Sequence, residues 1–261
     1  MTFLGVIQTA VLTVGDFSLF VWETLRTSLK MWKRKGLVLK QCEAIGVSSI
    51  GIVVIAGLFM GAVLGFQLYA SFHYFGAEAL LGGSVGISLF RELAPVMASI
   101  MVTGRAGAAM AAEIASMRIT EQIDALEIMA VDPIEFLITP RIVAGLFMMP
   151  ILALFFASIA SMSAAGIACG IMGLDSAVYW QQFAKVVDAI DIVHCVTKGA
   201  TFGLMLTWIG CFCGYRAEGG ARAVGAATRN TVVATLLVIL LSDYILTSFL
   251  PFGYAKLTVN T

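Results

Sequence analysis

Hydrophobic positions in this chain come in long runs broken at a few charged points, and the breaks set out the elements. Between Glu43 and Glu78 lie 34 residues without Asp, Glu, Lys or Arg, and between Arg141 and Asp175 lie 33. A membrane-crossing helix needs about 20 mostly apolar residues. Each run therefore holds one span, the first near 45–70 and the third near 142–172. The 17 residues between Lys198 and Arg216 predict a short fourth span, 198–215, with Lys198 at its end. A fifth, 230–254, is interrupted by Asp243. The second, 81–104, is apolar apart from the adjacent Arg91 and Glu92 near its middle. Residues 3–22 are also apolar, with Asp16 inside, and lead into Arg26, Lys30, Lys33, Arg34, Lys35 and Lys40. An apolar segment beside a basic one suits a helix lying in the interface of an anionic leaflet better than a sixth crossing. The expected fold is all-α: a polytopic membrane protein with five transmembrane helices, an N-terminal interfacial segment over 1–40 and a membrane domain over 41–261.

Composition agrees. Of 261 residues, 60% are hydrophobic and 12% charged, whereas soluble domains sit near 45–50% and about 25%. The mean hydropathy is +0.96. Sixteen basic residues balance sixteen acidic ones, which excludes a broad nucleic-acid-binding face. The 26 glycines fit close helix packing in lipid. Five scattered cysteines make neither a disulfide framework nor a zinc site and read as packing residues. The N-terminus lacks the charge and cleavage pattern of a removable signal.

Charge distribution orients the spans. With the N-terminal segment in the cytoplasm, that side gathers the six basic residues before Gln41 together with Arg105, Arg118, Arg141, Arg216, Arg222 and Arg229. The other side holds Lys185 and Lys256. The positive-inside rule favours this orientation.

The segment 105–141 is a long one on the cytoplasmic side. It opens with GRAGAAMAAEI (104–114), in which Gly104, Ala108 and Ala112 share one helical face and Gly107 and Ala111 the next. Such rows form seams for close helix contact. Arg105 and Glu113 lie two turns apart on one side, which suggests a structural pair. Then comes TEQIDALEIMAVDP (120–133): Ile119 just before it and Ile123, Leu126 and Ala130 within it keep helical spacing while Glu121, Asp124 and Glu127 take other faces. Asp132–Pro133 is expected to end the helix, which is placed near 119–132. An acidic amphipathic helix is repelled by a negative leaflet, so a protein partner fits it better than the membrane surface does.

There is no GxxxxGK[ST] phosphate loop, no HExxH and no GxSxG, and His73 and His194 stand far apart. No catalytic residue and no metal site are therefore assigned.

RELAPV (91–96), GRAGAAMAAEI (104–114) and EQIDALEIMAVDP (121–133) resemble the signature of the MlaE/YrbE permeases. Those are membrane subunits of ABC transporters that move phospholipid between the inner and outer membranes of Gram-negative bacteria. The resemblance runs from about Leu37 to Phe249 and takes in TWIGCFCGY (207–215) and AATRNTV (226–232). It implies a homodimer in the bacterial inner membrane, N-terminus cytoplasmic, acting in outer-membrane lipid asymmetry. Each subunit would dock on an ABC ATPase that carries ATP and Mg, so this chain itself would bind no cofactor and catalyse no reaction. A STAS-domain subunit would sit on the ATPase, and a periplasmic MCE-domain hexamer would cap the outer face. The 121–133 segment matches the family's coupling helix, which makes Glu121, Asp124, Leu126, Glu127, Met129, Asp132 and Pro133 the expected ATPase contacts.

The family holds lipid in an interface cavity lined by the first two spans. Here the end of span one offers Leu64, Leu68, Ser71, Phe72 and Phe75 along one face, with polar Gln67 adjacent. These, with Arg91, Glu92 and Leu93, are the expected lipid contacts; the alternative for the stripe is simple packing on neighbouring helices. A charge at a span's centre costs at least about 2.5–3.5 kcal/mol, so Arg91 and Glu92 need partners or a polar cavity. Either they meet a lipid headgroup or they form a buried network that fixes the assembly. Lys198 and Asp243, isolated and opposite in sign, suggest a structural pair between spans four and five.

A different class of function would use Glu92 and Asp243 as proton sites of an ion-gradient-driven secondary transporter or channel. A membrane enzyme acting on lipids would need a convergent nucleophile, base or metal set, which the sequence does not offer. A purely structural anchor for the MCE ring would leave the coupling helix without a task.

Overall fold

The computed structural model describes residues 3–28 and 35–249. Lys30, Lys33, Arg34, Lys256 and the 250–254 end of the fifth expected span lie outside the described residues. The described residues are all-α, and among them five helical stretches are long and apolar enough to cross a membrane: Lys35–Tyr74, Glu78–Ile119, Ile134–Gly170, Ala189–Tyr215 and Ala221–Phe249.

Helix α1 (Phe3–Ser28) is not among these five. It lies against the start of α8 (Thr139–Gly170) and the end of α10 (Ala189–Tyr215). Phe20 is buried there, Phe17 and Phe20 meet Phe212 edge-on, and Thr27 Oγ1 is 2.8 Å from Thr139 Oγ1. Its other face exposes Leu12, Val14, Leu19 and Trp22. One face on protein and one apolar face outward is what an interfacial helix requires.

The first span joins α2 (Lys35–Ile45) to α3 (Ile50–Tyr74) through a 3₁₀ turn. The second joins α4 (Leu81–Ser88), α5 (Ala94–Val102) and α6 (Ala108–Ile119) through two single π turns, Leu89–Leu93 and Thr103–Gly107. Pro95 has no N–H to give the Arg91 carbonyl one turn back, which loosens the first π turn. The spans overrun their expected bounds. The second continues to Ile119, the fourth begins at Ala189 and not at Lys198, and the fifth, α11 (Ala221–Phe249), starts before residue 230. Lys198 and Asp191 thus lie inside a crossing helix because each has a partner there.

Packing follows small residues. Gly61 and Gly65 of α3 cross Ala160 and Ala164 of α8 so closely that a Cβ at Gly61 would stand 2.1 Å from the Ala160 carbonyl oxygen. Gly145 of α8 and Gly203 of α10 meet in the same way. In lipid, where burial of apolar surface drives little, such contact supplies the packing energy. Gly61→Val is expected to cost about 1–3 kcal/mol through overpacking, read as a lower melting temperature of the detergent-solubilised protein. Gly51→Val, in open space on the same helix, should be neutral. Of the two small rows in 104–114, it is Gly107 and Ala111 that face α10, against Leu206 and Gly214. Gly104 stays open and Ala108 and Ala112 only half-buried.

One helix was not expected. α9 (Ser176–Val186) lies at the end of the bundle opposite α1, where the side chain of Asp175 caps it by accepting from Ala177 N at 2.7 Å. It packs on α4, and a Cβ at Gly82 would stand 2.1 Å from the Tyr179 carbonyl oxygen. Burial pushes the Tyr179 hydroxyl up from its ordinary pKa, and the hydroxyl donates to Ser161 O. All five cysteines are free.

Candidate functional site

The elbow between the second and third spans is built from local rules. α7 is only Gln122–Ile128, shorter than the expected 119–132. Glu121 enters it at φ 57, and Ala130 leaves it at φ 58. Val131 N donates to Leu126 O and Ala130 N to Glu127 O, the paired bonds of a Schellman stop with Ala130 in the left-handed position. The helix therefore ends before Asp132–Pro133. Asp132 starts the next element instead, accepting from Ile134 N at 2.9 Å, and Pro133 is buried. Arg118 pins the elbow: it donates to Asp124 at 2.6 Å and covers the Tyr215 ring.

Among the expected partner contacts, Asp124, Asp132 and Pro133 are thus engaged within the chain, and Leu126 is half-buried. Glu121, Glu127 and Met129 face outward, as does Ile128, which the sequence reading did not single out. Ile128 is 87% exposed and Met129 64%. The tip is apolar with an acidic rim. The missed signal was adjacency: Ile128 and Met129 both fall outside the 123/126/130 face. Beside the elbow runs a cleft of about 580 Å³ walled by α1, residues 130–134 and Phe212, Tyr215 and Arg216. Arg216 bridges to Asp16 of α1 at 3.0 Å, tying both walls.

At the far end of α3 an open hollow of about 790 Å³ is lined by Ala62, Val63, Phe66, Gln67, Ala70, Ser71 and Tyr74. Gln67 and Ser71 of the expected stripe lie in it. Leu64, Leu68 and Phe72 are turned about one position toward the bundle, half-buried against the core, and Phe75 is exposed beyond the helix end. Gly61 and Gly65 set this rotation, since they must face α8.

Between the two ends lies an ion network. Asp191 and Lys198 are seven residues, two turns, apart on α10 and present one face to the π turn at Leu89–Leu93. Arg91 Nε donates to Asp191 Oδ1, whose other oxygen accepts from Asp188 N at 2.8 Å. Lys198 Nζ donates to Glu92 Oε2 and to Thr247 Oγ1 at 2.7 Å, and stands 2.8 Å from Asp243 Oδ1 as an ion pair outside hydrogen-bond geometry. Asp191 and Lys198 are buried, whereas the Glu92 side chain is 40% exposed. Two cations and three carboxylates so meet across three spans, with Lys198 shared between Glu92 and Asp243. Asp191, absent from the sequence reading, is the partner Arg91 required. Leu93 is half-buried within the same π turn. Arg105 and Glu113 do not pair: Arg105 reaches Ala44 O and Ser49 Oγ, and Glu113 meets Arg141 at 2.9 Å. The π turn at Thr103–Gly107 offsets the two positions, which removes their common face. Among the described residues no cluster of His, Cys, Asp or Glu could hold a metal.

Comparison with known proteins places this geometry. The family model described as Permease MlaE matches residues 38–249. A probable ABC transporter permease protein of Rickettsia conorii is 39% identical over 237 residues, covering 90% of this chain and 91% of that one. The intermembrane phospholipid transport system permease protein MlaE of Haemophilus influenzae is 40% identical over 215 residues, 82% of each chain. The chloroplastic protein TRIGALACTOSYLDIACYLGLYCEROL 1 of Arabidopsis thaliana is 34% identical over 211 residues, 81% of this chain and 60% of that one.

Proposed function

Since this chain belongs to the MlaE permease family of multi-pass ABC transporter permeases, we propose that it moves phospholipid between the inner and outer membranes and so maintains outer-membrane asymmetry. The observation that carries this reading is the 40% identity to the Haemophilus protein whose name states phospholipid transport. The open apolar hollow on α3, with only Gln67 and Ser71 polar, supports it, because acyl chains need an apolar wall and a headgroup a few polar contacts. In this reading two copies face each other across the hollows. The lipid lies on Gln67, Ser71 and Phe75, with Leu64, Leu68 and Phe72 as the floor. Glu92, the partly exposed carboxylate of the ion network, is the charged group left to meet a headgroup, and Arg91 and Leu93 hold the π turn that carries it.

The work comes from a separate ABC ATPase, which holds ATP and Mg and docks on the elbow through Glu121, Glu127 and Met129, joined by Ile128. Asp124, Leu126, Asp132 and Pro133 shape the elbow from behind. A STAS-domain subunit on the ATPase and an MCE-domain hexamer at the opposite end complete the complex, and this chain binds no cofactor. The basic residues of α1 and α2, with Arg105, Arg118, Arg141, Arg216, Arg222 and Arg229, support an inner-membrane subunit with its N-terminus in the cytoplasm. Nucleotide-driven closure of the ATPases moves both elbows, narrows the hollow and passes the lipid on.

Ala70→Trp, which fills the hollow from an exposed position, is the test. Fluorescent phospholipid transfer by the reconstituted complex should be lost while the ATPase still co-purifies. Wild-type transfer by the variant would sink the reading.

A further inference from the structure

The cleft beside the elbow carries charges that the elbow tip does not use. α1 brings Asp16 and Glu23 to one wall, and Glu127 and Asp132 stand on the other. Against these four carboxylates the lining holds one cation, Arg216, and that cation is committed: it bridges Asp16 at 3.0 Å and lies over the Phe212 ring. Asp132 spends one oxygen on Ile134 N. Glu23 and Glu127 are exposed and have no ion-pair partner among the described residues. Glu23 from α1, and Glu127 and Asp132 from the elbow, lie within electrostatic reach of the Tyr215 hydroxyl, so the acids of both walls gather around one side chain. Beneath them the lining is apolar, with Phe20, Pro133 and Ile134 buried. A groove of about 580 Å³ with an apolar floor and carboxylates on facing walls suits a long cationic side chain, its stem on the floor and its head between the acids. Arginine fits better than lysine, because its fork of five N–H donors can meet carboxylates on two walls at once. The same lining repels anionic lipid headgroups.

We propose that an arginine of the ABC ATPase enters this cleft, so that α1 and the elbow grip the ATPase as two jaws. The proposal rests on the reading that the ATPase docks at the elbow. Glu127 makes the link: it lines the cleft and directly precedes the exposed tip at Ile128 and Met129, so a partner seated on the tip overlies the cleft. Movement of the ATPase then reaches α10 through the contacts of Phe17 and Phe20 with Phe212 as well as through the elbow.

The test titrates full-length permease in nanodiscs with the purified ATPase subunit. Glu23→Lys, a change at an exposed position, should weaken binding about tenfold at an unchanged melting temperature, because a cation then faces the incoming one. Glu43→Lys makes the same change of net charge at an exposed position of α2 outside the cleft and should bind like wild type. In the assembled complex, p-benzoylphenylalanine in place of Leu19, an exposed residue of the α1 wall, should cross-link to the ATPase on a peptide that carries an arginine. Changing that arginine to glutamate should restore binding to Glu23→Lys. The variant Ile128→Asp, Met129→Asp separates the two readings. If it loses the ATPase while Glu23→Lys binds like wild type, or while the Leu19 cross-link stays within the permease, the cleft proposal is overturned and docking at the tip stands. If it keeps the ATPase while Glu23→Lys loses it, the cleft holds the partner and the tip does not. Wild-type binding by both variants removes both readings.

Discussion

Replacing Lys198 with Met is expected to cost about 3–5 kcal/mol of stability, the range for breaking a buried ion pair by removing one partner. Lys198 is buried, and its single ammonium meets Glu92, Asp243 and Thr247 at once. Met keeps most of the volume and removes only the charge, so packing loss is a minor part. The damage comes from what remains: two partly buried carboxylates that shared one cation now face each other without it. Because they sit on α5's preceding π turn and on α11, their repulsion acts between spans and loosens the contact of both with α10. The expected result is a large fall in the temperature at which the detergent-solubilised protein leaves the monodisperse peak in size-exclusion chromatography. The triple variant Lys198→Met, Glu92→Gln, Asp243→Asn should recover most of it, since a neutral hydrogen-bonding set leaves no uncompensated charge. If Lys198→Met melts like wild type, the network does not hold the bundle.

Much of this was legible because the bilayer imposes simple rules. Uninterrupted apolar runs named the spans, and two isolated opposite charges, Lys198 and Asp243, stood out against them; the structure sets them 2.8 Å apart. What escaped depends on rotation and on partners. Asp191 falls before the expected start of the fourth span at Lys198, yet it lies inside α10, where Arg91 neutralises it. The Leu64–Phe72 stripe has the right period, but period alone does not say which face turns inward. Gly61 and Gly65 decide that, and they turn Val63, Phe66 and Ala70 outward instead. α9 carried signals that could have been used: Asp175 as a cap, then Tyr179, Phe183 and Val186 at helical spacing. The Arg105–Glu113 pairing failed because a π turn cannot be seen in a spacing count.

Ile128→Asp together with Met129→Asp is expected to abolish co-purification of the ATPase while leaving the permease folded. The two side chains are the most exposed apolar residues of the elbow, and they touch nothing that holds α7 in place. That task belongs to Ile123, which is buried, to the Arg118–Asp124 bridge and to the turn at Ala130. An apolar tip ringed by Glu121 and Glu127 fits a greasy socket with a basic border. Central apolar anchors of such contacts each contribute about 2 kcal/mol or more, so losing two weakens binding by roughly three orders of magnitude. Rim charges matter less: Glu127→Gln should change the salt dependence of association more than its strength. Pull-down of tagged permease, with melting temperature measured in parallel, separates docking from folding. Arg118→Ala is the counter-test. It leaves the tip chemistry intact but removes its support, so it should weaken docking partially and lower the melting temperature as well. If the double aspartate variant still brings down the ATPase at wild-type yield, the motor does not grip this elbow, and the mechanical part of the proposal falls with it.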